Sequence, residues 1–407
     1  MPMSREQRLN RLQRIFDVAL NNNPLERPFM ATPPTITLTA ATDGTLPAGT
    51  SVANGSALSS FAQNQLAWYG GNPVIQASAY ARVETIGIST PNTSGNAGGG
   101  SNQWCTSLEF MSDAPKVELC MFMSNIKQCR VQVDGQYDSG TVYTGAGAGA
   151  ADNFLLLDFA GVRAPRRIRI LNGANGSAGM NLIKSIKKSA NCDIWKPSQH
   201  DVIHAAWVGD SYVEGQTGGN TVQPVANGNF VFRASERLGI RDPRQFGMGQ
   251  TGYVASGPLG LVPAINQIPY WRVPAEGIDM FVGCYGYNDA SNTFDTIRQA
   301  VRSYYQRIRS LYPTAPIFVL GCQAGAGGPN ASQINCENAI KQGVADLKYR
   351  DIRFIPVSTD PVPWLSTNNS GTLVDGDLTH PSLTGHDVLS FRAAFGIRNA
   401  LQDMINN

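Results

Sequence analysis

Charge is scarce in this chain: of 407 residues only 15% are Asp, Glu, Lys or Arg, and the formal net charge at pH 7 is +2. No Lys/Arg block and no basic cluster with interleaved aromatics is present, which excludes the electrostatic footprint of a nucleic-acid binder. Also lacking is any run of about 18 or more apolar residues, so no membrane span is expected. The first 23 residues alternate polar and apolar side chains, without the continuous apolar stretch and small-residue cleavage site of a signal peptide. Seven cysteines, at 105, 120, 129, 192, 284, 322 and 336, are odd in number and irregularly spaced, so a disulfide framework is not expected and most should be buried thiols. What is abundant is glycine (42) and proline (24), which favours short strands joined by many turns over a helical bundle.

Length and local pattern divide the chain into three parts. Leu9, Leu12, Ile15, Phe16, Ala19 and Leu20 recur at helical spacing before Asn23 and Pro24, which predicts an amphipathic helical arm within residues 1–30. The arm is a candidate either for packing on the chain's own body or for homo-oligomer formation or docking to a larger particle. Residues 31–190 alternate with period 2 around Thr35–Leu38, Val117–Met123, Arg130–Val133 and Arg167–Ile170, the pattern of half-buried strands in an antiparallel β-sandwich. Asp134-Gly135 reads as a hairpin turn. Residues 91–102 and 145–152 are rich in Gly, Ser, Ala and Asn and read as loops, and 184–199 as a linker.

Over residues 200–407 strands alternate with helices. His204–Val208 and Ile278–Gly283 read as buried strands, Phe230–Leu238 and Phe294–Leu311 as helices, and Ile317–Leu320 as a further strand. This is the α/β pattern of a parallel sheet covered by helices on both faces. Ligands of such sheets sit at the carboxyl ends of the strands, where Ser211 and Asn288 fall. A serine there becomes a nucleophile when an imidazole takes its proton, and Asp377-Leu378-Thr379-His380 offers an imidazole with its own carboxylate.

Four blocks stand in order: Gly209-Asp210-Ser211, Gly247-Met248-Gly249-Gln250-Thr251-Gly252, Gly286-Tyr287-Asn288-Asp289 and Asp377-Leu378-Thr379-His380. Together they resemble the SGNH (GDSL-like) hydrolase superfamily. The resemblance implies a flavodoxin-like catalytic domain in which Ser211 is the nucleophile, His380 the base and Asp377 its orienting carboxylate. It further implies an oxyanion hole made by the N–H groups of Ser211 and Gly249 and the Asn288 side chain, with Gln250 the alternative donor, and neither metal nor cofactor. A β-rich domain before such a domain is similar to the jelly-roll plan of family 2 carbohydrate esterases, which implies an acetylated polysaccharide or other glycan as substrate. Trp364, Tyr212 and Tyr287 are then candidate sugar-binding aromatics. The arm and the Gly/Ala/Ser/Thr-rich strands are similar to phage tail deacetylases, which implies a virion location; a cytoplasmic esterase is the plain alternative. Rival readings are a non-catalytic glycan-binding or structural tail module and a lipid or aryl esterase.

Other motifs carry less. Gly247-x-Gly249-x-x-Gly252 spells a dinucleotide fingerprint, but Gly257, Pro258 and Gly260 follow where a helix would have to run. His200 and His204 lack the intervening glutamate of a zinc-hydrolase helix. His386 is expected to pack or cap, and Asp210 and Asp289 to fix loops.

Overall fold

The computed structural model describes residues 3–22, 29–47, 49–76, 79–84, 106–123, 127–146, 149–174, 182–218, 228–257 and 263–407. The expected loop at 91–102, the helix stop at Asn23 and Pro24, and Pro258 and Gly260 lie outside these residues.

The alternating segments form two antiparallel sheets. One runs in the order Thr35–Ala40, Ala151–Asp158, Lys116–Met123, Leu182–Lys188, Tyr80–Glu84, Asn72–Gln76, with Gly49–Ser51 also on Leu182–Lys188. The other contains Lys127–Val133, Arg166–Ala174, Ser107–Ser112 and Ile194–Trp195 in that order. Alternate side chains such as Val117, Leu119 and Met121 face inward and meet Val131, Ile168 and Ile170 in a shared core, as a period-2 pattern requires. Asp134 and Gly135 both have positive φ, 51° and 83°, the two-residue hairpin geometry whose twist matches its strands. The segment read as a linker contributes Leu182–Lys188 and Ile194–Trp195 to the sandwich, so the sandwich extends past residue 190.

Five parallel strands build the second body. Numbered in chain order as His204–Gly209, Asp242–Gly247, Met280–Cys284, Ile317–Leu320 and Ile352–Ile355, they lie side by side as 2-1-3-4-5, the flavodoxin-like order. Successive residues of the first strand point to opposite faces: Ala205 and Trp207 join one apolar cluster, Ala206 and Val208 the other. Helices Phe294–Leu311 and Ala331–Ala345 cover the second cluster through Ile297, Val301 and Ile340. Helices Phe230–Arg237 and Leu383–Asn406 cover the first.

The N-terminal helix, Arg5–Asn22, does not stand apart as an arm. Leu9, Leu12, Phe16 and Leu20 are buried in the first cluster, and Arg8 and Arg11 reach Asp279 at 2.5 and 3.1 Å. Its apolar stripe is therefore covered by the chain's own body, the first of the two alternatives left open by the sequence.

The six cysteines among the described residues are buried and unpaired. No helix among those residues is long and apolar enough to cross a membrane.

Candidate active site

Strand order alone marks a position for chemistry: strands 1 and 3 are neighbours whose connections leave in opposite directions, opening a crevice at their carboxyl ends. The chain leaves strand 1 through Gly209, where a Cβ would lie 2.5 Å from the Cys284 carbonyl oxygen of strand 3; glycine is what lets the turn pass. Asp210 then caps the one-turn helix Ser211–Glu214, its Oδ1 accepting the Tyr212 N–H at 3.0 Å. Burial pushes the Asp210 carboxyl up to about 8, against the Tyr212 N–H bond that works to lower it. Ser211 is thus the first helical residue, where its N–H has no intrahelical acceptor.

His380 arrives from a tight turn before the last helix. Asp377 Oδ1 accepts the N–H groups of Thr379 and His380 at 3.0 and 2.9 Å, and Leu378 between them sits at φ 62°. Asp377 Oδ2 lies 2.5 Å from His380 Nδ1, and His380 Nε2 lies 2.8 Å from Ser211 Oγ. A carboxylate that accepts from Nδ1–H leaves Nε2 free to accept the serine proton. Burial works against the Asp377 charge, but the hydrogen bonds from the His380 ring and from the His380 and Thr379 backbones prevail and hold its carboxyl below the usual range. Ser211, His380 and Asp377 are therefore brought together in one hydrogen-bonded chain.

Asn288 follows strand 3 on the turn Tyr287–Asp289. Its Nδ2 donates to Thr251 O at 2.9 Å, which fixes the amide and leaves its second N–H for another acceptor. Asp289 accepts the N–H groups of Tyr253, Val254 and Ala255 at 2.7, 3.0 and 2.8 Å and so pins the loop that follows strand 2. Burial raises its carboxyl pKa against those three donors.

Gly249 corrects an expectation. Its N–H donates to Glu214 Oε2 at 2.9 Å and is not free to meet an oxyanion. The next N–H, that of Gln250, has no partner among the described residues, and Gln250 is held at φ 63°.

Two of the three expected sugar-binding aromatics are also corrected. Trp364 is 2% exposed and packs in the core cluster of the first face; the polar loop around it covers it. Tyr212 is buried completely, and its hydroxyl lies 2.6 Å from Thr379 O and 3.2 Å from Ala324 O, so it is a strut and presents no face to a ligand. Tyr287 alone of the three is half-buried, with its hydroxyl 3.3 Å from Thr379 Oγ1.

The remaining histidines are accounted for locally. His386 is fully buried, its Nδ1 accepting the Phe230 N–H at 3.2 Å and its Nε2 donating to Gln216 O at 3.0 Å. His204 Nδ1 pairs with Asp242 at 2.6 Å, while exposed His200 lies beside Asp201. Sequence reasoning missed Glu214, Gln216 and Thr379; only their closeness in sequence to Ser211 and His380 could have flagged them.

No family model matches the sequence, and no curated protein is similar to it in sequence. Solved structures are similar in fold. A family two carbohydrate esterase from Cellvibrio japonicus is 14% identical with a TM-score of 0.59, over 91% of this chain and 99% of that one. A family two carbohydrate esterase from Clostridium thermocellum in complex with cellohexaose is 14% identical with a TM-score of 0.58, over 83% and 99%. An acetyl xylan esterase, Est2A, from the rumen bacterium Butyrivibrio proteoclasticus is 13% identical with a TM-score of 0.57, over 88% and 99%. The chain therefore has the fold of the family two carbohydrate esterases.

Proposed function

We propose that this protein is a serine esterase that removes O-acetyl groups from a carbohydrate. The observation that carries the reading is the continuous chain Asp377 Oδ2, His380 Nδ1, His380 Nε2, Ser211 Oγ, at 2.5 and 2.8 Å. In the forward step Ser211 Oγ bonds to the acetyl carbon as its proton passes to His380 Nε2. The resulting oxyanion would be met by the N–H of Ser211, the N–H of Gln250 and the free amide hydrogen of Asn288. Collapse breaks the bond to the sugar oxygen, which leaves with the proton from His380. Water then attacks the acetyl-enzyme with His380 again as base, releasing acetate. Asp377 stays anionic and stabilises the imidazolium.

The carbohydrate assignment draws on the fold shared with family two carbohydrate esterases. It also draws on the sandwich, whose long strands from Ser107 to Lys188 alternate between the two sheets. Acetate release from acetylated xylan and glucomannan by wild type and by Ser211→Ala tests it. Release by wild type alone is expected; equal, slow release by both would favour the non-catalytic glycan-binding module.

A second reading, an esterase of aryl or lipid esters, draws on Leu378 and Leu383, which are 66% and 58% exposed on either side of His380 in sequence. Rates that climb along a 4-nitrophenyl ester series from acetate to octanoate would favour it over the carbohydrate.

A further inference from the structure

Glu214 is the one acidic side chain on the nucleophile's own helical turn, and it is 4% exposed. A single oxygen, Oε2, accepts both the Gly249 N–H at 2.9 Å and the Gln216 Nε2 amide at 2.7 Å. Fit is close on every side: a Cβ on Gly249 would lie 2.7 Å from that oxygen, 2.8 Å from Gln216 Nε2 and 3.7 Å from Ser211 Cβ. Gly247, two residues earlier, is pressed so closely on the same turn that a Cβ would fall 2.4 Å from Glu214 N. The carboxylate therefore bridges the turn that carries the nucleophile and the loop beside it.

We propose that Glu214 is a positioning residue of the oxyanion pocket. By engaging the Gly249 N–H it fixes the Met248-Gly249 peptide and so the turn into Gln250, whose N–H, in its left-handed backbone, is the donor the loop offers to the oxyanion. A preorganised donor needs no rearrangement as charge develops, whereas a loose one loses most of its value. The proposal rests on the esterase reading, since it assigns a donor for that reaction's tetrahedral intermediate.

The contact is tested by two variants and two measurements. Glu214→Asp withdraws the carboxylate by one methylene, and Glu214→Gln keeps a carbonyl oxygen where Oε2 now lies. On 4-nitrophenyl acetate, Glu214→Asp should lower kcat by about tenfold or more while KM changes by less than about twofold, and Glu214→Gln should restore most of the rate. Amide hydrogen exchange over residues 248–252 should quicken in Glu214→Asp and stay slow in Glu214→Gln. The proposal is overturned by a Glu214→Asp kcat equal to or above wild type, by unchanged exchange in that segment, or by equal losses in both variants. A wild type no faster than Ser211→Ala would remove the esterase reading and the positioning role with it, while the exchange result would still decide whether Glu214 holds the loop.

Discussion

The Tyr212 hydroxyl lies 2.6 Å from the Thr379 carbonyl oxygen, so the residue after Ser211 is tied to the residue before His380. That part-buried bond spans 167 positions of sequence and sets how far the Ser211 turn stands from the His380 turn. Tyr212→Phe would remove the donor of this half-buried carbonyl, at a cost of about 1 kcal/mol. Thermal unfolding should show that loss, and kcat should fall severalfold more than KM rises, because the two turns can drift apart.

Asp377→Asn keeps the shape of the Asp-x-x-His turn but offers an amide where a carboxylate accepted the Nδ1 proton. The imidazole is then driven to the tautomer that cannot accept from Ser211. The expected outcome is a fall in kcat of roughly 10³- to 10⁴-fold, with a circular dichroism spectrum like that of wild type.

Trp364 and Tyr287 separate packing from ligand contact. Trp364→Ala should destabilise by about 3–5 kcal/mol, as large-to-small changes in a filled core do, and chemical denaturation measures it. Tyr287→Ala should leave most of that stability in place and raise KM for an acetylated glycan more than for 4-nitrophenyl acetate. A KM effect from Trp364→Leu in a fully folded protein would contradict the burial seen for this side chain.

His386 makes folding sensitive to acid. Burial lowers its pKa to about 4, below the roughly 6.5 of an imidazole in the unfolded chain. Between those values the unfolded state binds the extra proton, so its contribution to stability is complete above pH 6.5 and is lost as pH falls toward 4. The urea midpoint should therefore decline across this window in wild type. The decline should be shallower in His386→Gln, which cannot be charged.

Much of the parallel-sheet body was legible because its signals are local. The helical face through Ile297, Val301, Tyr304, Tyr305 and Ile308 predicted Phe294–Leu311, the helix seen, since an apolar stripe at that spacing has one way to be buried. Ser211 and His380 could be read because each sits beside the glycine, aspartate or threonine that shapes its own turn. Residues 184–188 of the strand Leu182–Lys188 fell within the segment 184–199 read as linker, because a register shift between Ile183 and Ser185 breaks the strand's alternation. Trp364 and the Gly249 N–H were misread for a different reason. Whether a tryptophan is covered, and which acceptor a loop N–H meets, depends on elements far off in sequence: Glu214 is 35 residues from Gly249.

The helix Arg5–Asn22 packs beside Leu383–Asn406, with Arg398 Nε 3.0 Å from Asp17. A ribosome would deliver Asp17 and Arg398 at points 381 positions apart. The face built on Trp207 must therefore wait, partly uncovered, until the later helix has left the exit tunnel, whereas the described strands of the sandwich are complete by Trp195 and can settle first.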